Sequence, residues 1–113
     1  MDNLIKRCLE LLAINSVQSE PASGAPFGLG TLKALNYFLD LAKDMGFKTV
    51  NHDGYIGYAE CGSGEDFAIL GHLDTVPIGE GWTKNPLGEL SDDRIYGRGA
   101  LDDKLPMICC LMA

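Results

Sequence analysis

The chain has 113 residues, 46% of them hydrophobic, and a formal net charge of −7 from 9 basic and 16 acidic side chains. That length suits one small domain, and that composition suits a globular fold rather than disorder. The acidic balance argues against nucleic acid as a partner, because such binders carry a basic patch, and the scattered acidic residues read as a solvated surface.

In chain order, the first predicted element is a helix. Asp2 or Asn3 can cap it, and Leu4, Ile5, Cys8, Leu9, Leu11 and Leu12 form an apolar stripe at helical spacing. The stretch 15–30 collects Ser, Pro and Gly and reads as a loop. A second helix is predicted from Thr31 to Met45, with Leu32, Leu35, Phe38, Leu39, Ala42 and Met45 as its core face and Gly46 closing it. Phe47–Val50 and Tyr55–Cys61 read as a hairpin turned by Asn51-His52-Asp53-Gly54. The continuous apolar run Phe67–Gly71 is what a strand buried on both faces requires. A loop punctuated by Gly and Pro leads past Trp82 and Pro86 to a short strand pair, 88–90 and 94–96, turned by Ser91-Asp92-Asp93.

The last element is a helix that Asp102 or Asp103 can cap, with Pro106 tolerated in its first turn. It is apolar all round and so requires burial on every side. It runs only to Ala113, so the chain reads as truncated, with neighbouring strands missing and an exposed apolar helix that favours self-association. The four cysteines, Cys8, Cys61, Cys109 and Cys110, show no CxxC spacing. The adjacent pair lies within that apolar run, so buried reduced thiols are expected rather than disulfides or a zinc cage. No stretch approaches the roughly 18 apolar residues of a membrane span. Residues 1–7 lack the zones of a signal peptide, so no membrane role and a cytoplasmic location are expected.

Helices mixed with an apolar strand indicate an α/β layered fold, in which ligands gather at the carboxyl ends of the strands. His72 and Asp74 lie just past the most apolar strand. A histidine offers a neutral nitrogen to a metal, and a nearby carboxylate can orient it through the opposite ring nitrogen. An isolated His-x-Asp more often only satisfies a turn. Gly97-Arg98-Gly99-Ala100-Leu101-Asp102-Asp103-Lys104 is the second chemical element, two glycines followed by paired carboxylates at a helix start. Capping accounts for it equally well on its own.

Together the two carry more. Gly71-His72-Leu73-Asp74-Thr75-Val76-Pro77, then Gly79-Glu80-Gly81-Trp82, Ile95-Tyr96-Gly97-Arg98-Gly99 and Asp102-Asp103-Lys104 closely resemble the co-catalytic two-metal metallopeptidase family. That family includes acetylornithine deacetylase, succinyl-diaminopimelate desuccinylase, carboxypeptidase G and carnosinase-like dipeptidases. Ala25-Pro26-Phe27-Gly28 and Gly54-Tyr55-Ile56-Gly57-Tyr58 resemble its bacterial dipeptidase branch. The resemblance implies that residues 1–113 are the N-terminal part of a zinc-peptidase-like catalytic domain, helices packed on a mixed sheet, without the lid domain or the C-terminal half.

It further implies that His72 is a metal ligand, that Asp74 stands behind it, and that Asp102 bridges two metals. The Asp102–Asp103 peptide matches the one that is cis in the family. Zinc is the expected metal, two ions per complete site, with manganese or cobalt as substitutes. The implied substrates are dipeptides or N-acyl amino acids, hydrolysed at an amide next to a free carboxylate. The family's general base is a glutamate of a downstream Glu-Glu pair, and its remaining ligands also lie downstream. Glu60, Glu80 and Glu89 do not match those positions, and Leu105 stands where the family usually has Gly. The isolated chain is therefore expected to be inactive. A metal- or partner-binding module without catalysis is the alternative.

Overall fold

In a computed structural model describing residues 2–113, Asp2 opens helix α1 (Asn3–Leu12) by accepting a hydrogen bond from Leu4 N at 2.8 Å. This satisfies one of the free donors at a helix start. The predicted stripe is the packed one, with Cys8, Leu11 and Leu12 fully buried. Helix α2 (Leu29–Asp44) begins two residues earlier than predicted, after Gly28, whose carbonyl accepts from Thr31 Oγ1 at 2.9 Å. Its buried residues are Ala34, Leu39, Leu41 and Ala42. Met45, expected in the core, is exposed, because the helix ends there and the chain turns away through Gly46. The two helices are tied by Tyr37, which donates to Glu10 Oε2 at 2.5 Å while Arg7 donates to the same oxygen at 3.1 Å.

Both predicted hairpins are present. Strands β1 (Lys48–His52) and β2 (Ile56–Glu60) pair antiparallel, with Lys48 opposite Glu60 and His52 opposite Ile56. The turn needs positive φ at two successive residues, which Asp53 and Gly54 supply, and Asn51 Oδ1 accepts from Gly54 N at 2.8 Å. This hairpin lies against α2, with Gly57 facing Leu35 and Leu39. Strands β3 (Glu89–Ser91) and β4 (Arg94–Tyr96) form the second pair through Asp92 and Asp93, again both at positive φ.

Helix α3 (Leu105–Met112) carries Pro106 in its first turn as predicted, but no side chain caps it. Asp102 has non-helical angles, φ −132° and ψ 93°, so the expected capping role is corrected: Ala100–Lys104 is an irregular turn that turns Asp102 outward instead. Ile108 packs into one core with Cys8, Leu11, Ile14, Ala34 and Leu41. The rest of α3 is not buried on every side. Cys109 and Cys110 are exposed rather than buried, because α3 meets α1 through one face only; all four thiols are free.

The fold is α/β, with three helices and two antiparallel strand pairs among the described residues, and is only 20 Å across its thinnest dimension. Phe67–Gly71 departs most from expectation. It is extended but pairs with no strand among the described residues, and Phe67 and Leu70 are 89% and 88% exposed. A two-sided strand is covered by its neighbours, and here neither edge has one. The only parallel pairing among the described residues is an isolated bridge, Val17 to Thr75.

Candidate functional site

His72 and Asp102, thirty positions apart, come together: His72 Nε2 lies 2.9 Å from Asp102 Oδ1. His72 sits on the extended segment that continues from residues 67–71, and Asp102 on the irregular turn before α3. The opposite ring nitrogen, Nδ1, faces Asp74, 3.0 Å from its carbonyl oxygen and 3.3 Å from its Oδ1. The ring is thus held from behind, with Nε2 aimed at the second carboxylate. The Asp102–Asp103 peptide is cis. Asp103 points the other way and accepts from His72 N at 3.3 Å, so the two aspartates grip the histidine segment at different atoms.

The electrostatics follow from this arrangement. Burial is the largest single influence on His72 and lowers its pKa. The bonds to Asp102 and to the Asp74 carbonyl, with the charges of both carboxylates, outweigh it and raise the imidazole above its ordinary 6.5. Acceptors on both ring nitrogens favour the doubly protonated ring. A divalent cation at Nε2 would replace that proton, so any metal binding here competes with protons.

The donor chemistry fits a metal in kind, since neutral imidazole and carboxylate are the zinc-type set. Their 2.9 Å separation is that of a charge-assisted hydrogen bond, which an ion held between them would replace. The set is short in number: among the described residues no group of three or more His, Cys, Asp or Glu side chains converges as a metal-holding cluster. A cleft of about 330 Å³ opens over the pair, lined also by Thr75, Val76, Arg98 and Leu101. A larger cavity of about 560 Å³ lies beside it between Trp82, Lys84 and Tyr96, with Arg98 common to both. Chemistry favours the smaller one, which holds the convergent donors. Arg98 is fixed between the two, its guanidinium 5.4 Å from the Trp82 ring and Nη2 donating to Ile78 O at 3.1 Å.

Several supporting residues were not singled out in the sequence reading. Ser16 Oγ donates to Leu73 O at 2.6 Å, and Thr75 N donates to Ser16 O at 3.2 Å, clasping the histidine segment from both sides. Lys104 is 1% exposed, and its ammonium donates to Leu11 O at 3.2 Å and Ile14 O at 2.6 Å. Desolvation lowers that ammonium to about 8. Gly71 permits the close approach of the two segments: a Cβ there would meet Met107 Sδ and stand 2.5 Å from Asp103 Oδ2. A lysine next to an apolar helix was the available signal, and it reads as surface until its partners are known.

Residues 68–113 match the model of peptidase family M20/M25/M40. Over 116 positions the chain is 43% identical to a protein of Bacillus subtilis (strain 168) named putative dipeptidase YtjP, covering 99% of this chain and 25% of that one. It is also 43% identical over 114 positions to the Beta-Ala-Xaa dipeptidase of Lactobacillus delbrueckii subsp. lactis, covering 95% of this chain and 24% of the relative. The chain therefore spans about a quarter of the length of the curated relatives it matches.

Proposed function

We propose, for a chain that belongs to peptidase family M20/M25/M40, that it supplies part of the centre of a metal-dependent dipeptidase or aminoacyl hydrolase. The observation that carries the reading is the convergence of His72 Nε2 and Asp102 Oδ1 at 2.9 Å, with Asp74 behind the ring. In this reading His72 and Asp102 are metal ligands, Asp102 the bridging one, and Asp74 orients His72 and raises its basicity. Zinc is the metal that suits these donors, two ions in a complete site, with manganese or cobalt able to substitute. The bound metal supplies a Lewis acid for the amide carbonyl and a water of lowered pKa.

The chain's own residues hold the imidazole from behind at Nδ1, keep a carboxylate facing Nε2, and border the cleft with Arg98. Among the described residues no third His, Cys, Asp or Glu joins the pair to hold a metal, and neither the general base nor the remaining ligands are assigned to them. Dipeptides or N-acyl amino acids are the proposed substrates. The cytoplasm, where four free thiols stay reduced, is the proposed location. Isolated, the chain is expected to bind zinc weakly, to hydrolyse no dipeptide, and to self-associate through the exposed flank of α3.

A graft tests the reading. This chain replaces the matching quarter of the Lactobacillus Beta-Ala-Xaa dipeptidase, and the chimera is assayed with zinc and with manganese. Activity is expected, with His72→Ala and Asp102→Ala each lowering kcat by at least about a thousandfold. A well-folded chimera that is inactive, or one that tolerates His72→Ala, overturns the proposal.

A further inference from the structure

The two halves of the site belong to segments that share no regular secondary structure. His72 rides on an extended stretch that pairs with no strand beyond a single bridge, and Asp102 rides on an irregular turn. Neither segment is stiff by itself, yet their functional atoms meet at 2.9 Å. Both are fastened to the same short piece of chain, the end of α1 and the residues just after it. On the histidine side, Ser16 holds Leu73 O through its hydroxyl and Thr75 N through its carbonyl, one residue to either side of Asp74. On the aspartate side, Lys104, two residues beyond Asp102, reaches Leu11 O and Ile14 O with its ammonium. Leu11 O, which also accepts from Ile14 N at 3.2 Å, and Ile14 O lie at the end of a helix, where a cation suits the carbonyls. Ser16 is fully buried and Lys104 nearly so, and the two Lys104 bonds are buried as well. Gly99 lies between the two fastenings, where a Cβ would stand 2.9 Å from Thr75 Cγ2 and 3.1 Å from Lys104 Cδ.

We propose that the segment Leu11–Val17 is the mount that sets His72 against Asp102, with Ser16 and Lys104 as its positioning residues. The metal reading of the pair underlies its consequence for function, whereas the mount itself concerns the spacing of the two side chains. Burial alone would be served by an apolar residue at 104 of similar length. Two carbonyl bonds to one turn fix direction as well as depth, and direction is what the opposed pair requires.

The experiment uses the 113-residue chain with its histidine rings labelled with ¹⁵N. Ring chemical shifts at one fixed pH report the His72–Asp102 hydrogen bond, with Asp102→Asn giving the value for a weakened bond. Ser16→Ala and Lys104→Met are each expected to move the His72 Nε2 shift at least halfway to that value. The double variant should go little further, because both fastenings act on one segment. Cys8→Ala, a substitution in the same core that makes none of the fastening bonds, should lower the melting temperature without moving the shift. The mount is overturned if Ser16→Ala and Lys104→Met leave the shift unchanged, or if Cys8→Ala moves it as far. Should Lys104→Met fail to fold, Ser16→Ala decides by the same criterion. Broadening of the same ring signals by Co²⁺ is then compared. A roughly tenfold loss of affinity in the two mount variants supports the functional consequence. A wild-type chain with no broadening at His72 refutes the metal reading while the ring shifts still decide the mount.

Discussion

The end of α1 and the extended run before the site are both rich in apolar residues and have opposite fates. Leu11 and Leu12 are fully buried, meeting α3 and the glycines that flank the second hairpin. Phe67 and Leu70 stand almost entirely in solvent a few residues before His72. Both places are apolar in sequence; what differs is whether a second element supplies the other wall. A helix completes its own backbone hydrogen bonds and needs only a partner for one stripe. A two-sided strand needs neighbours on both edges as well as both faces.

The largest effect expected from this contrast comes from cutting equal side chains in the two regions. Leu11→Ala removes a fully buried side chain and should cost about 2–5 kcal/mol, enough to unfold much of a small domain. Leu70→Ala, at 88% exposure, should change stability by less than about 0.5 kcal/mol. Urea denaturation of both variants checks this. Equal losses would mean that the run 67–71 is covered in solution.

A pH scan sharpens the same comparison, because Cys8, Tyr37 and Lys104, whose protons desolvation shifts, all pack at α1. Desolvation lifts the Cys8 thiol from 9.0 to about 11 and the Tyr37 phenol from 10.0 to about 12. The folded state keeps these protons longer, so their stabilisation is complete below pH 9 and drains away as pH rises towards 11 and 12. Lys104 acts in the other direction. Its ammonium is lowered from 10.5 to about 8, so unfolding takes up a proton above pH 8 and stability grows until 10.5. The curve should rise from pH 8 to 9 and fall beyond 10.5, as followed by denaturant midpoints. Lys104→Met should abolish the rise and leave the fall. The smallest effect is local: Asp2→Ala loses the cap on Leu4 N and should cost about 1 kcal/mol, read as fraying of the first turn by amide exchange.

The parts legible in the sequence were those decided locally. Asp2 caps the helix that follows it directly, Asp53-Gly54 and Asp92-Asp93 make turns from their own backbone angles, and His72, Asp74 and Asp102 stood out as a spaced motif. The fastenings were not legible, because Ser16 finds Leu73 across 57 positions and Lys104 finds Ile14 across 90. Nothing near Lys104 distinguishes a buried helix cap from an exposed charge. Cys109 and Cys110 were misjudged for a related reason: an apolar helix declares that it needs cover, not which of its sides receives it.

Gly71 bears on how this centre could change over generations. The two segments approach where Gly71 carries no side chain, and the side chains of Met107 and Asp103 close on its bare backbone. Met107 is unbranched and could give way to other flexible residues, whereas any replacement at 71 adds volume where backbone and carboxylate already touch. A side chain at 71 would displace both the Met107 thioether and the Asp103 carboxylate that accepts from His72 N. A change at position 71 would thus reach the centre through the carboxylate that grips the histidine segment.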